Sequence, residues 1–198
     1  SSISRIGCNN WGYSDRYFDG VIDEVRISDE VLTQFDFSTP SILNSLWSYS
    51  AGGNVDSVSI SADGKYIAAG FGHNITLFDR DSSAPLWRYS TGDSVRSVAI
   101  SADGEYIVAG NGYGDKVYLF EKDSSTPLWS YSPGSAVGSV AISADGEYIA
   151  AGSFDDKVYL FNKDSNTPLW SHTTGDDVLT VAISADGEYI AAGSADNK

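Results

Sequence analysis

The sequence predicts an all-β protein whose larger part, residues 46–198, is a partial β-propeller of four-stranded blades, three full and a fourth incomplete. Three observations predict it. Segments that open with Leu-Trp start at Leu46, Leu86, Leu128 and Leu169, at intervals of 40, 42 and 41 residues, and a period of that length marks a supersecondary unit that buries its faces against copies of itself. Each unit carries four short apolar runs separated by turn residues, hence four strands. Runs such as Val117-Tyr118-Leu119-Phe120 are apolar at both parities, so both faces of that strand must be covered, as in small sheets stacked face to face.

Each element has its own reason. Trp47, Trp87, Trp129 and Trp170 lie in the strand before a Gly-containing loop, where a large ring can wedge between neighbouring sheets. The following stretch, SVAISADGEYIAAG in its commonest form, is a hairpin of strands A and B. The turn of that hairpin is Ser-Ala-Asp-Gly, at 101–104, 143–146 and 184–187, with the glycine free to take positive φ. A loop leads to strand C, of the VYLF type, and a polar turn ending in Pro leads to strand D. The spacing from Leu to Tyr is constant (46 to 66, 86 to 106, 128 to 148, 169 to 189), and Phe78, Phe120 and Phe161 each precede the next Leu by eight. All length variation falls between that Tyr and Phe, at 12, 14 and 13 residues, which places it in the B–C loop.

Residues 95–120, VRSVAISADGEYIVAGNGYGDKVYLF, resemble the core of WD-repeat blades, and residues 77–92, LFDRDSSAPLWRYSTG, are similar to the Trp-bearing junctions of quinoprotein-like propellers. The Gly-His pair and the Trp-Asp dipeptide of WD repeats are missing, and Leu-Phe stands where that dipeptide would fall, at 77–78, 119–120 and 160–161. The resemblance implies that the B–C and D–A loops share one rim, the usual ligand side, and that strand A lines a channel. Before the repeats, YFDGVIDEVRI at 17–27 resembles the closing strands of laminin-G-like, concanavalin A-like jelly-roll domains. A jelly-roll remnant is therefore expected over 1–36, with a helical turn from Ser28 to about Phe35, and a linker over 37–45. That family binds carbohydrate or protein ligands outside the cell, but none of its binding residues carries over.

Composition narrows the function classes. Lys and Arg total 12 against 27 Asp and Glu, a formal charge of −15 with a pI near 4.2, which repels a nucleic-acid backbone. Cys8 is the lone cysteine and there are two histidines, too few nitrogen and sulfur ligands for a zinc site. No apolar stretch approaches the roughly 18 residues that span a bilayer, so no membrane insertion is expected of this segment. The absence of methionine, even at position 1, leads us to expect both natural ends outside these 198 residues. Three full units fall short of the roughly four to eight that close a ring, so further blades of the same chain are expected to complete it.

The candidate binding residues lie in the variable B–C loops: Phe71, His73 and Asn74, then Asn111, Tyr113 and Asp115, then Phe154, Asp155 and Asp156. Aromatics beside amides and carboxylates suit sugar stacking or protein contact, and drift in a solvated loop is the plainer alternative. A second variable position opens strand A, at Asp56, Arg96, Gly138 and Leu179; there Arg96 is expected to pair with an acidic neighbour such as Asp56.

Other motifs have structural explanations. His172 replaces the Tyr at 49, 89 and 131 and reads as a packing variant, and His73 has no nucleophile pattern beside it. The turns at 79–83, 121–125 and 162–166 lack the Gly and Glu of an EF-hand loop. Gly70-x-Gly72 and Gly112-x-Gly114 precede no helix, Asn74-Ile75-Thr76 is a bare glycosylation sequon, and Asp23 and Glu24 are adjacent, so they point to opposite faces of a strand. The expectation is a non-catalytic extracellular or cell-surface protein that binds a protein or glycan ligand without a cofactor or metal. Alternatives are the non-catalytic part of a secreted glycan-acting or quinoprotein-like enzyme, and an intracellular scaffold.

Overall fold

The computed structural model describes residues 46–196, within the second of two units into which the chain divides between Asn44 and Ser45. The jelly-roll strands, the helical turn and the linker expected before residue 46 lie outside the described residues. The first sheet is β1 (Val55–Ile60), β2 (Tyr66–Phe71), β3 (Asn74–Asp79) and β4 (Pro85–Ser90). The second is β5 (Val95–Ile100), β6 (Tyr106–Asn111), β7 (Val117–Glu121) and β8 (Trp129–Tyr131). The third is β9 (Val137–Ile142), β10 (Tyr148–Ser153), β11 (Lys157–Asn162) and β12 (Trp170–Thr173); β13 (Val178–Ile183) and β14 (Ile190–Ser194) pair as a fourth, two-stranded sheet. All pairings are antiparallel meanders in chain order, the all-β blade architecture that the repeat predicts.

Sheet and sequence repeat are one strand out of phase. Each Leu-Trp segment from Leu86 on is the fourth strand of the sheet begun before it, so Trp87 lies in β4 and Trp129 in β8. Its ring then crosses to the next sheet. Trp87 lies 5.3 Å from Phe120 and donates its indole N–H to the Lys122 carbonyl at 2.7 Å; Trp129 repeats this with Phe161 at 5.4 Å and Lys163 at 2.7 Å. Trp47 does the same to the first sheet, 5.4 Å from Phe78 and bonded to the Arg80 carbonyl. The wedge expected of these tryptophans is therefore the joint between consecutive sheets.

The cores lie between sheets rather than within them. Ile75 and Leu77 of the first sheet pack with Val95, Val98, Ile107, Tyr118 and Phe120 of the second. Val108, Val117 and Leu119 pack with Val137, Val140, Tyr159 and Phe161, and Ala150 and Val158 with Val178 and Val181. Alternate residues of a strand thus serve two different interfaces, which is why strand C reads apolar at both parities.

The first strands of the four sheets, β1, β5, β9 and β13, lie side by side. Serines bind them: the Ser57 hydroxyl accepts from the Val98 N–H at 3.0 Å, Ser97 from Val140 at 3.1 Å and Ser139 from Val181 at 3.2 Å. The A–B turns form a second seam, in which the Ala62, Ala102 and Ala144 N–H groups donate to the Ala102, Ala144 and Ala185 carbonyls, each at 2.9 Å. Within a turn, the Ser143 hydroxyl donates to Asp145 at 2.6 Å and accepts from the Tyr148 N–H, while Asp145 also accepts from the Glu147 N–H at 3.0 Å. The turn glycine is required twice over: Gly104 has φ of 76°, and a Cβ there would stand 2.4 Å from the Tyr66 ring of the preceding sheet.

Two predictions follow from these joints. Gly104→Ala should lower stability by about 2–4 kcal/mol, from left-handed strain plus overpacking; Gly53→Ala, with nothing within 4 Å of the added Cβ, should stay within about 0.5 kcal/mol. Urea melts of both variants check this. The serine hydroxyl, and then a backbone N–H, hold Asp63, Asp145 and Asp186 below the ordinary carboxylate range. A depressed folded-state pKa contributes stability that is fully present above the unfolded value near 4 and is lost as pH falls through the folded values. Urea midpoints should therefore drop below about pH 4, and less steeply in Asp145→Asn, which keeps an acceptor but does not titrate.

Candidate functional site

The B–C and D–A loops meet at one end of the sheets and are locked together by their backbones. Thr91 N–H donates to the His73 carbonyl at 2.9 Å and Val95 N–H to the Gly72 carbonyl at 2.8 Å; Gly112 N–H reaches Ser94, Phe154 N–H reaches Ala136 and Thr174 N–H reaches Asp156. Each B–C loop is therefore tied by backbone bonds to a D–A loop.

At this end every strand A carries a β-bulge. Register slips between Val55 and Ser57, Val95 and Ser97, Val137 and Ser139, and Val178 and Thr180. The extra residue is Asp56, Arg96, Gly138 or Leu179, the four variable positions that open strand A. A bulge re-aims its side chain out of the ladder, so the chain presents an acid, a base, a gap and an apolar side chain at equivalent places. Asp56, Arg96 and Leu179 are exposed.

Arg96 does not pair with Asp56. Among the described residues its guanidinium makes no ion pair; it lies over the Phe154 ring of the next sheet, 5.1 Å from the centroid. The cause is a pair of glycines. A Cβ on Gly138 would stand 2.7 Å from the Phe154 ring, and one on Gly112 would stand 2.9 Å from the Arg96 Nε. Gly138 thus admits the aromatic ring, and Gly112 lets the guanidinium lie close to its own sheet.

Of the other candidates, Tyr113 is 78% exposed and His73 is exposed. Asn74 and Asp115 are half-buried, Asp115 with φ of 50°. Phe71 and Asn111 are interior, not contact surface, at 2% and 1% exposure. Phe71 packs 5.9 Å from Tyr49, in the place that Tyr118 takes against Tyr89 at 5.6 Å and Tyr159 against Tyr131 at 5.4 Å. In the first sheet strand C carries Thr76 instead of a Tyr, and the aromatic is supplied by the end of strand B. Asn111 folds beneath its loop, its Oδ1 accepting the Lys116 N–H at 2.7 Å.

Asp155 and Asp156 have different work. Asp155 Oδ2 accepts from the Gly134 N–H at 2.8 Å and from the Tyr159 hydroxyl at 2.5 Å, bracing the D–A loop against strand C. Burial, and then this contact, push the Tyr159 hydroxyl well above the ordinary tyrosine range. Asp156, at φ of 66°, brings a carboxylate oxygen within 4.8 Å of those of Asp176 and Asp177, the arrangement among the described residues that could hold a cation. Sequence reading named Gly112 and Gly138 without assigning them the seating of Arg96 and Phe154, and it missed Asp176 and Asp177.

Four-stranded antiparallel sheets stacked through their first strands and riveted by Trp define a β-propeller repeat protein of the quinoprotein type. Residues 46–198 match the protein family described as outer membrane protein assembly factor BamB, and the chain belongs to that family. No curated protein matches the chain.

If Asp155 is a brace, Asp155→Ala should cost about 1–3 kcal/mol by leaving the Gly134 N–H and the Tyr159 hydroxyl without their acceptor. His73→Ala, which changes only an exposed side chain, should stay within about 0.5 kcal/mol in the same denaturation assay.

Proposed function

We propose that this chain is a non-catalytic binding platform at the cell surface or outside the cell, and that its B–C and D–A loop rim holds a protein ligand. One observation carries the reading: each B–C loop is tied by backbone bonds to a D–A loop while the side chains displayed there differ in every unit. A rigid support with unlike side chains suits recognition, since little ordering is left for the moment of binding. Tyr113 stands out as an anchor, 78% exposed on a loop whose flanking glycines are half-buried or buried. The family description concerns assembly of other proteins, which favours a polypeptide over a glycan. A charge of −15 suits a soluble protein in an open medium.

The full chain should be probed against displayed extracellular protein libraries and a glycan array. Saturable protein binding that weakens about tenfold or more in Tyr113→Ala, but not in Asp123→Ala at the far end of the sheets, is the expected result. Binding to glycans alone, or protein binding indifferent to the rim, would overturn the proposal.

A further inference from the structure

We propose that Arg96 is a carboxylate-binding site, the polar anchor by which the rim holds a partner polypeptide; this deepens the protein-binding reading above and rests on it. The site is built rather than incidental. Arg96 is the extra residue of a bulge, so its side chain leaves the ladder at the end of β5. Its guanidinium lies against Phe154 of the next sheet, and two glycines in different sheets make room for this arrangement, Gly112 for the Arg96 Nε and Gly138 for the Phe154 ring. A guanidinium stacked on an aromatic face keeps its N–H edge free, and that edge matches a carboxylate with two parallel hydrogen bonds. The stack attracts the cation without neutralising it.

Arg96 shares with Lys65, Arg88, Lys116 and Lys157 the lack of an ion pair within the described residues, and its bulge position and two-glycine seat set it apart from them. The ion pairs there belong to Arg80 with Asp81, Lys122 with Glu105 and Asp123, and Lys163 with Glu147 and Asp164. Arg96 stays without a carboxylate in a chain where acids outnumber bases 27 to 12. The same imbalance selects the ligand. A polyanion is repelled by a net charge of −15, whereas a single carboxylate meets the guanidinium inside the screening length of about 8 Å at physiological salt. Exposed apolar groups flank the place: Tyr113 follows Gly112 in the chain, and Leu179, the bulge residue of β13, has its carbonyl 3.5 Å from the Cβ position of Gly138. The ligand class is therefore a carboxylate next to apolar residues, either an Asp or Glu side chain or a chain terminus.

Fluorescence polarisation on the full chain tests this with three dye-labelled octapeptide libraries of apolar flanks. One has a free C-terminal carboxylate and no acidic side chain, one is amidated with a central Glu, and one is amidated with a central Gln. Saturable binding is expected for one of the carboxylate libraries and not for the Gln library, and the one that binds identifies the source. Arg96→Gln should weaken it about tenfold or more, and Arg96→Lys, which keeps the charge but loses the paired bonds, several-fold. Gly112→Ala should also weaken it by displacing the guanidinium, with circular dichroism verifying that each variant is folded. Absence of saturable binding to either carboxylate library, equal binding of the Gln library, or affinity unchanged in Arg96→Gln and Arg96→Lys would overturn the site. A protein ligand that depends on Tyr113 but not on Arg96 would overturn this inference and leave the platform standing.

Discussion

Everything in this structure depends on how closely one sheet approaches the next. The approach is set by positions without a Cβ: Gly70, Gly110 and Gly152 in strand B face Val95, Val137 and Val178 of the following strand A, and an added Cβ would come within 2.6, 2.4 and 2.6 Å of those side chains. The turn glycines set the same limit at the other end, against Tyr66, Tyr106 and Tyr148. With the distance fixed, alternate residues of each strand fill two interfaces, and the Trp ring, the serine hydroxyl and the alanine N–H of one sheet each meet a partner on the next. No sheet has a core of its own, so stability is a property of the stack.

That dependence explains where the chain is free to vary. A residue inside the stack answers to two neighbours at once, and Leu77, Leu119 and Leu160, at one place in each strand C, show what such positions tolerate. The bulge residue answers to neither, save at Gly138, where an added Cβ would stand 2.8 Å from the Val178 carbonyl. Register resumes on both sides of it, so Asp56, Arg96, Gly138 and Leu179 change charge, size and polarity without disturbing the valine that precedes them or the Ser or Thr that follows. Where one bulge residue does affect another sheet, the effect is local: deleting the side chain at Gly138 gives Phe154 its place, and Phe154 gives Arg96 its seat.

Much of this was legible in the sequence. The Leu-Trp period, the Ser-Ala-Asp-Gly turns and the two-sided apolar runs yield the four-stranded sheets and the Trp joint, because each reports a constraint repeated in every unit. The failures fall where one unit departs from the others. Phe71 reads as a loop aromatic because glycine follows it, yet its role depends on Thr76 having lost the aromatic of strand C, a compensation seen only across the B–C ladder. The pairing of Arg96 with Asp56 rests on opposite charge at equivalent positions, but the side chain goes forward to Phe154 through a gap that glycine leaves. The bulge itself has a trace that periodicity contains: Val95, Val98 and Ile100, like Val137, Val140 and Ile142, are spaced three and then two apart, which an unbroken strand with one buried face does not produce.

The acidity of the chain has a source within the repeat. Each A–B turn uses an aspartate as acceptor for a serine hydroxyl and a backbone N–H, at Asp63, Asp103, Asp145 and Asp186. The C–D turns add others, as Asp79 accepts the Asp81 N–H at 2.9 Å. Such residues recur with each unit, so negative charge accumulates with the number of sheets, and the polar turns that suggest calcium loops are occupied with their own backbone. These turn carboxylates are only part of the acidity, since the rim end carries its own at Asp56, Asp155, Asp156, Asp176 and Asp177. Against those acids the repeat prescribes no fixed answer at the bulge position, and in the second sheet that position holds a cation, Arg96, seated on the Phe154 ring of the next sheet.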